Sequence, residues 1–327
     1  MSEVMTYNPI QVLAYDPTRT TTLRNAFVRA MRKRYKDLTN IMQEAIVKQD
    51  CFGLSQVHTF AELQSPGYQA FNFPRVQAKV DAFMEWLRLQ EQRGLLETKY
   101  YYRIGESVEA AWTNIYIYDS YKRGVIRARQ ELKKAGYKVP SVEESGGIDA
   151  IMGAPFHIDQ VGLIFTRAFE QLRGITAQMD TQISQILGQA MVDGDGSRVV
   201  TRKLVSVING GGAELGLDIS YINPRTGQLV EYWMPAKQRA EILARTEVIR
   251  AHHLANIQEY KNWRALGIRV IAEWGTAGDD RVCSQCANLH GNRYKLEVIE
   301  HMIPIHPQCR CIAIPVEVDR KGKEIQY

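Results

Sequence analysis

Four of the five cysteines of this 327-residue chain lie within 29 positions near its carboxyl-terminal end, and this crowding constrains that segment strongly. Cys283 and Cys286 form a Cys-x-x-Cys turn, which lets two thiolates point at one ion. Cys309 and Cys311 follow after a gap of 22 residues and are two positions apart, so their sulfurs share one face of an extended strand. His306 precedes them by three residues and offers an imidazole ligand. The pattern is typical of a metal site.

These five side chains are candidates for four places around a structural zinc ion. We expect Cys283 and Cys286 to be ligands, with the other pair drawn from His306, Cys309 and Cys311. Four protein ligands leave no position for water, so the zinc would be structural rather than catalytic. Reduced cysteines without metal and redox pairing are the alternatives. Three charged residues before the first pair either orient the ligands or are solvated turn residues: Asp279, Asp280 and Arg281.

The composition is that of a folded globular protein. Hydrophobic residues make up 45% and charged residues 24%, which excludes wholesale disorder and fibrous repeats. No stretch approaches the ~18–20 apolar residues of a membrane span, so we expect none. The amino terminus lacks the pattern of a secretory signal peptide. We therefore expect synthesis in a reducing cytoplasm, where a compact cysteine group favours a metal site over disulfides.

The formal net charge of +5 is unevenly distributed. Seven basic and no acidic residues lie between Arg19 and Lys36, and a second basic group covers residues 122–138. Helical spacing places some of these side chains on common faces, where they could contact nucleic-acid phosphates or an acidic protein. The alternative is an ordinary solvated helix face. The candidate contact residues are Arg29, Lys33, Lys36, Arg123 and Arg127.

The spacing of apolar residues predicts a mainly α (α+β) protein. It comprises a body of long helices, a β-hairpin and a small carboxyl-terminal zinc-binding α+β module. The predicted helices cover residues 20–46, 74–94, 107–135, 159–192, 197–207 and 235–266, and the fourth is either one helix or a pair broken near Gly174. The hairpin pairs residues 217–222 with 229–233, and a strand covers residues 268–274.

Shifts in composition predict the organisation into units. Residues 141–155 are rich in Gly, Pro, Ser and acidic residues and are interpreted as a linker. A helical amino-terminal region (1–140) precedes the linker, and its role is open. The helical body (156–266) follows and carries the hairpin at about 217–233, before the Cys/His-rich module (267–327).

Three motifs occur in order within roughly residues 155–315. They are Ala-Arg-Thr-Glu at 244–247, Thr-Ala-Gly-Asp-Asp-Arg-Val-Cys at 276–283 and His-Pro-Gln-Cys-Arg-Cys at 306–311. In order and spacing they resemble the phage head morphogenesis family, also called Mu F-like minor head proteins. The resemblance implies a minor capsid protein of a tailed bacteriophage, a virion component with a structural and assembly role at the portal vertex and procapsid interior.

The resemblance also implies partners. These are the phage portal protein, coat or scaffolding proteins and, in DNA packaging, double-stranded DNA bound without sequence specificity. We expect several copies in the virion, in the head interior or at the portal vertex, after synthesis in the host bacterial cytoplasm.

We expect no enzymatic activity, because no catalytic residue pattern and no phosphate-binding loop is found. One alternative is a metal-containing nuclease or injected effector, for which Glu247 with His252 or His253 is the only residue set available. The other alternative is a protein whose main function is sequence-independent DNA binding.

Overall fold

The computed structural model describes residues 16–54, 73–103, 106–210, 217–222 and 228–318. Within these ranges the chain is mostly helical with small antiparallel sheets. The helices are α1 (Thr21–Gln43), continued by a π-helical turn (Glu44–Lys48), α2 (Phe73–Gly94), α3 (Asn114–Lys134), α4 (Ile148–Met152), α5 (Pro155–Asp193), α6 (Ser197–Asn209), α7 (Ala236–Ala265), α8 (Ser284–Leu289) and α9 (Leu296–Ile299). The strands are β1 (Thr98–Arg103), β2 (Glu106–Ala111), β3 (Leu217–Ile222), β4 (Leu229–Met234), β5 (Val270–Gly275), β6 (Arg293–Tyr294) and β7 (Ile312–Glu317).

Helix α7 lies at the centre of the body, and α1, α3, α5 and α6 pack against it. Its buried face is rich in alanine, which lets neighbouring backbones approach closely. The closest approach is at Gly124 of α3, where a Cβ atom would lie 2.4 Å from the carbonyl oxygen of His252. Only glycine fits there, so this contact sets the spacing between α3 and α7.

A buried polar network also joins α3, α5 and α7. The carboxylate of Glu259 accepts hydrogen bonds from Arg129 Nε at 3.0 Å and Trp263 Nε1 at 3.0 Å, and lies 2.9 Å from His157 Nε2. The other imidazole nitrogen of His157 is 3.0 Å from the hydroxyl of Tyr121. Because Glu259 is 1% exposed, this network fixes the three helices through charges that are fully paired inside the protein.

Two helix predictions are corrected. The helix predicted from residue 107 begins at Asn114, because residues 106–111 form β2 and pair with β1 in antiparallel register from Thr98↔Ala111 to Arg103↔Glu106. The possible break near Gly174 does not occur, since α5 runs for 39 residues through that position. A Cβ at Gly174 would meet no atom within 4 Å, so the residue lowers helix propensity without bending the helix.

The hairpin predicted at residues 217–233 is confirmed. β3 pairs with β4 in antiparallel register from Leu217↔Met234 to Ile222↔Leu229. Its predicted turn, residues 223–227, lies outside the described residues.

The carboxyl-terminal sheet has the order β6-β5-β7, and both pairings are antiparallel. Trp274 of β5 is fully buried and belongs to a hydrophobic cluster that includes Tyr260 of α7 and Leu132 of α3. Cys286, Cys309 and Cys311 belong to the same cluster. The Cys/His segment is therefore packed on the helices, and the predicted division at residue 267 stays a prediction.

Among the helices described, none combines the length and apolarity that crossing a bilayer requires.

Candidate metal centre

All five predicted ligands lie close together in the structure. Cys283, Cys286 and His306 form one group of donors and Cys286, Cys309 and Cys311 another; within each group the donor atoms lie within 4.8 Å of one another. Cys286 belongs to both groups, so it occupies the middle of the arrangement. It is buried along with the last two cysteines, whereas the first cysteine and the histidine are half-buried.

The first two ligands are positioned by the start of α8. The sulfur of Cys283 accepts a hydrogen bond from the backbone N–H of Cys286 at 3.4 Å. This turn keeps the two sulfurs on the same side of the chain, as a Cys-x-x-Cys metal turn requires.

The second ligand segment is attached to the middle of α7. Gln308 adopts a left-handed conformation with φ of 61°, and its backbone N–H donates to Thr246 Oγ1 at 3.1 Å. Its side-chain oxygen accepts from Arg245 Nη1 at 2.7 Å. The Ala-Arg-Thr-Glu motif therefore positions the His-Pro-Gln-Cys-Arg-Cys motif, a connection that spacing alone did not indicate.

Three donor separations are close to those expected around one tetrahedral metal ion, with zinc as the reference. Zn–S bonds of about 2.3 Å and Zn–N bonds of about 2.0–2.1 Å imply ligand separations of about 3.8 Å between sulfurs and about 3.5 Å between sulfur and nitrogen. The sulfurs of Cys286 and Cys309 are 4.0 Å apart. The Nε2 atom of His306 is 3.3 Å from the sulfur of Cys283 and 3.1 Å from that of Cys286.

The hydrogen bonding of His306 leaves the correct nitrogen free for a metal. Its Nδ1 atom is 2.8 Å from the backbone oxygen of Pro307. A carbonyl oxygen only accepts, so Nδ1 carries the proton and the lone pair of Nε2 faces the sulfurs.

An ion pair connects the two ligand segments. Arg310, between Cys309 and Cys311, donates two hydrogen bonds of 2.6 Å to the two carboxylate oxygens of Asp279. Arg281 donates to the same carboxylate at 2.9 Å. Hydrogen bonds from Arg310 and then Arg281 hold the pKa of Asp279 well below its usual range. Asp279 and Arg281 thus hold the ligand segments in place, and the partner that sequence reasoning missed is Arg310.

The buried thiols favour a negative charge at the centre of the site. Hydrogen bonds from Cys286 and Cys311 lower the pKa of Cys309 to about 2, and the hydrogen bond to Cys309 raises the pKa of Cys286. A thiolate stabilised by neighbouring thiols is a good ligand for a soft cation such as zinc.

Glu247 and His253, from the one catalytic set that the sequence suggested, form hydrogen bonds with different partners and not with each other. Glu247 Oε1 accepts from Arg250 at 3.2 Å, whereas Nε2 of His253 donates to the backbone oxygen of Ile299 at 2.9 Å. Burial lowers the pKa of His252 to about 3 and that of His253 to about 4, so both imidazoles are neutral. These contacts are those of packing residues.

Several predicted phosphate contacts already have partners. Lys33 pairs with Asp37 at 2.5 Å. Arg127 lies 3.9 Å from Glu131, and Arg123 donates to the backbone oxygen of residue 19. In the described part of the chain, three of the five candidates have no ion pair: Arg29, Lys36 and Arg123.

A buried carboxylate pair was not predicted. Burial and the neighbouring charge of Asp180 raise the pKa of Glu91 to about 10, so the two groups share a proton between α2 and α5. Asp180 also accepts from Arg88 Nε at 3.4 Å. The burial of Glu91 could have been predicted from its helical spacing, because Met84, Leu87 and Glu91 lie on one face of α2 and all three are buried.

The comparison with protein families matches residues 181–314 to a family model described as "Phage Mu protein F like protein". The matched segment extends from the second half of α5 to β7 and contains all five Cys/His donors. It confirms the resemblance to the Mu F-like phage head morphogenesis family over that segment. No curated protein and no solved structure matches the chain.

Proposed function

We propose that this protein is a minor head protein of a tailed bacteriophage, with a structural and assembly role in head morphogenesis. The observation that carries the proposal is the family match over residues 181–314. That segment includes both the Ala-Arg-Thr-Glu motif and the Cys/His donors, and hydrogen bonds of 3.1 and 2.7 Å connect the two.

The proposal includes a location and partners. The protein is a virion component in several copies, at the portal vertex and the procapsid interior, and it binds the portal protein and coat or scaffolding proteins. The family match supports contacts with other capsid components in general.

The proposed cofactor is one structural zinc ion held by Cys283, Cys286, His306 and Cys309. Nε2 of His306 lies 3.3 Å from the sulfur of Cys283 and 3.1 Å from that of Cys286, the sulfur of Cys309 lies 4.0 Å from that of Cys286, and the tautomer of His306 presents Nε2 to the ion. Cys311 belongs to the same donor group as Cys286 and Cys309 and is the alternative to Cys309 as the fourth ligand. Zinc at this site would join two segments that are more than 20 residues apart, each of which has little structure of its own.

The protein is proposed to have no enzymatic activity. Four protein donors would occupy every coordination position of zinc, and Glu247 is 1% exposed and paired with arginines. Contact with packaged DNA is proposed as a subsidiary property of the exposed Arg29 and Lys36, because ion pairs neutralise several of the other basic residues.

The experiment is assembly of procapsids in cells that express portal, coat and scaffolding proteins together with variants of this chain. Cys286→Ser removes the sulfur shared by both donor groups, and Cys51→Ser is the matched control because Cys51 is exposed and belongs to neither group. We expect wild type and Cys51→Ser to co-sediment with procapsids and to contain about one zinc per chain. Cys286→Ser should lose the zinc.

Omitting the portal gene tests the location. We expect the protein to be absent from procapsids that lack a portal. Failure of the wild-type protein to enter any procapsid would refute the assembly role, and incorporation without portal would refute the location.

A further inference from the structure

A cleft of about 550 Å³ lies beside the metal centre, between α5, α7 and the loop of residues 304–307. This volume is within the range of about 300–1,000 Å³ that is typical of ligand sites. One wall is the loop that carries His306, and the opposite walls carry three arginines. They are Arg167 of α5 and Arg239 and Arg250 of α7.

The charges of the cleft are not balanced. Glu247 is the one carboxylate among the described residues that line it, and its Oε1 atom lies 3.2 Å from Arg250 and 3.6 Å from Arg167. Three guanidinium groups and one carboxylate give these four side chains a net charge of +2. The cleft is therefore complementary to an anionic ligand.

Arg239 is the least satisfied of the three arginines. It is 8% exposed, and its Nη1 atom donates to the side-chain oxygen of Gln178. Within the described residues, its Nε and Nη2 atoms have no hydrogen-bond partner. Because these two atoms are buried, Arg239 contributes its positive charge to the cleft rather than a bidentate contact to a ligand.

The rest of the lining favours a peptide over a nucleic acid. The walls include apolar side chains from both helices and from the loop: Ile175, Ile242, Leu243, Pro304, Ile305 and Pro307. Such groups pack against apolar peptide side chains, whereas a sugar-phosphate backbone is bound mainly by exposed cations.

We infer that this cleft binds a segment of a partner protein in which acidic and apolar residues alternate. Its carboxylates pair with the arginines, and its apolar side chains pack on the isoleucine and proline wall. The inference rests on the proposed function, in that the partner is another protein of the phage head.

The test uses the full-length protein and a fluorescein-labelled hexapeptide, acetyl-Leu-Glu-Leu-Glu-Leu-Glu-amide, with binding measured by fluorescence anisotropy at about 0.15 M salt. The same peptide with glutamine in place of glutamate is the ligand control. We expect the acidic peptide to bind at least about tenfold more tightly than its glutamine counterpart.

Arg167→Glu is the informative variant, because the side chain is 47% exposed. Arg173→Glu is its matched control on the same helix, since Arg173 is exposed, pairs with Glu170 and does not line the cleft. We expect Arg167→Glu to weaken binding by about tenfold or more, and Arg173→Glu to change it by less than about twofold. Circular dichroism checks that both variants are folded.

Three results of the peptide measurements would overturn the inference. They are no binding of the acidic peptide at about 1 mM, equal binding of the two peptides, and equal affinity of Arg167→Glu and wild type. A DNA duplex that displaces the peptide and loses affinity in the same variant would assign the cleft to nucleic acid and would also overturn it. Procapsid incorporation is measured separately, so a protein that assembles but does not bind the peptide refutes the cleft and not the proposed function.

Discussion

The helical body and the Cys/His-rich end of this protein are held together in different ways. In the body, long helices bury many apolar side chains completely, such as Met31, Leu87 and Val200. Residues 270–317 form helices and strands of only two to six residues, with one cluster of five donors and one ion pair connecting the ligand segments. The body therefore depends on the packing of long helices, whereas the short elements of the end pack on those helices and are connected to one another by the donor cluster and the ion pair. Single substitutions should reveal this difference.

The largest effect is expected for Cys286→Ser. Structural zinc contributes an apparent binding free energy of about 10–16 kcal/mol in small zinc-dependent peptides, so its loss should unfold residues 276–311 locally. Hydrogen exchange followed by mass spectrometry should show fast exchange there and unchanged protection of α1 and α7. Equal protection of the carboxyl-terminal end with and without zinc would contradict a metal-dependent end.

The zinc content of two further variants tests which cysteine is the fourth ligand. Cys309→Ser should abolish zinc binding, whereas Cys311→Ser should retain about one zinc per chain because the proposed ligand set contains Cys309 and not Cys311. The reverse result would exchange the roles of these two cysteines.

The second largest effect is expected within the helical body. It would show that a single substitution can also strongly destabilise the body, and not only the Cys/His-rich end. Glu259→Ala removes the carboxylate that pairs with Arg129 and His157, and leaves two polar groups buried without it. Removal of one partner of a buried ion pair costs about 3–5 kcal/mol, measurable by urea unfolding. The control Glu273→Ala breaks an exposed pair with Arg293 and should cost less than about 1 kcal/mol. Similar costs for the two variants would mean that the network adds no stability.

A smaller effect is expected for a single methyl group. Gly124→Ala places Cβ against the backbone of His252 and should destabilise the protein by about 1–3 kcal/mol. Gly188→Ala, on the open face of α5, should stabilise it by up to about 1 kcal/mol through helix propensity. Thermal unfolding of the two variants checks the opposite signs.

The smallest effect at mildly acidic pH is expected from His252. Its pKa in the folded protein is about 3, below the value of 6.5 in an unfolded chain, so the unfolded state binds more protons between these two values. The stability is complete above pH 6.5 and falls by at most about 1.4 kcal/mol per pH unit below it. His252→Gln should remove this contribution, so the difference from wild type should change with pH between 6.5 and 4. A constant difference would show that the imidazole is not neutral in the folded state.

The parts that sequence reasoning predicted are those that depend on local spacing. The five Cys and His residues were predicted to lie together because their residue types and spacing are those of metal ligands, and the structure brings them together. The 217–233 hairpin and most of the helices follow from the spacing of apolar residues. The strand at residues 106–111 was missed because its pairing with β1 is not visible in its own sequence. Arg129 was assigned to the basic group of residues 122–138, yet it is buried and forms an ion pair with Glu259, which lies 130 residues away in the sequence.

The hydrogen bond from Gln308 to Thr246 joins residues that are 62 positions apart, and the enclosed stretch contains every donor before Gln308. Closing a longer loop costs more chain entropy, and contacts distant in sequence tend to form late in folding. We expect α7 and the Cys-x-x-Cys turn to form first, with a metal ion held by the turn while the chain returns. Pulsed hydrogen exchange during refolding should then protect α7 amides before the amide of Cys309; simultaneous protection would refute this order. A metal ion bound first by Cys283 and Cys286 therefore stays incompletely coordinated until the second ligand segment docks on α7. The length of the intervening chain determines how long this takes.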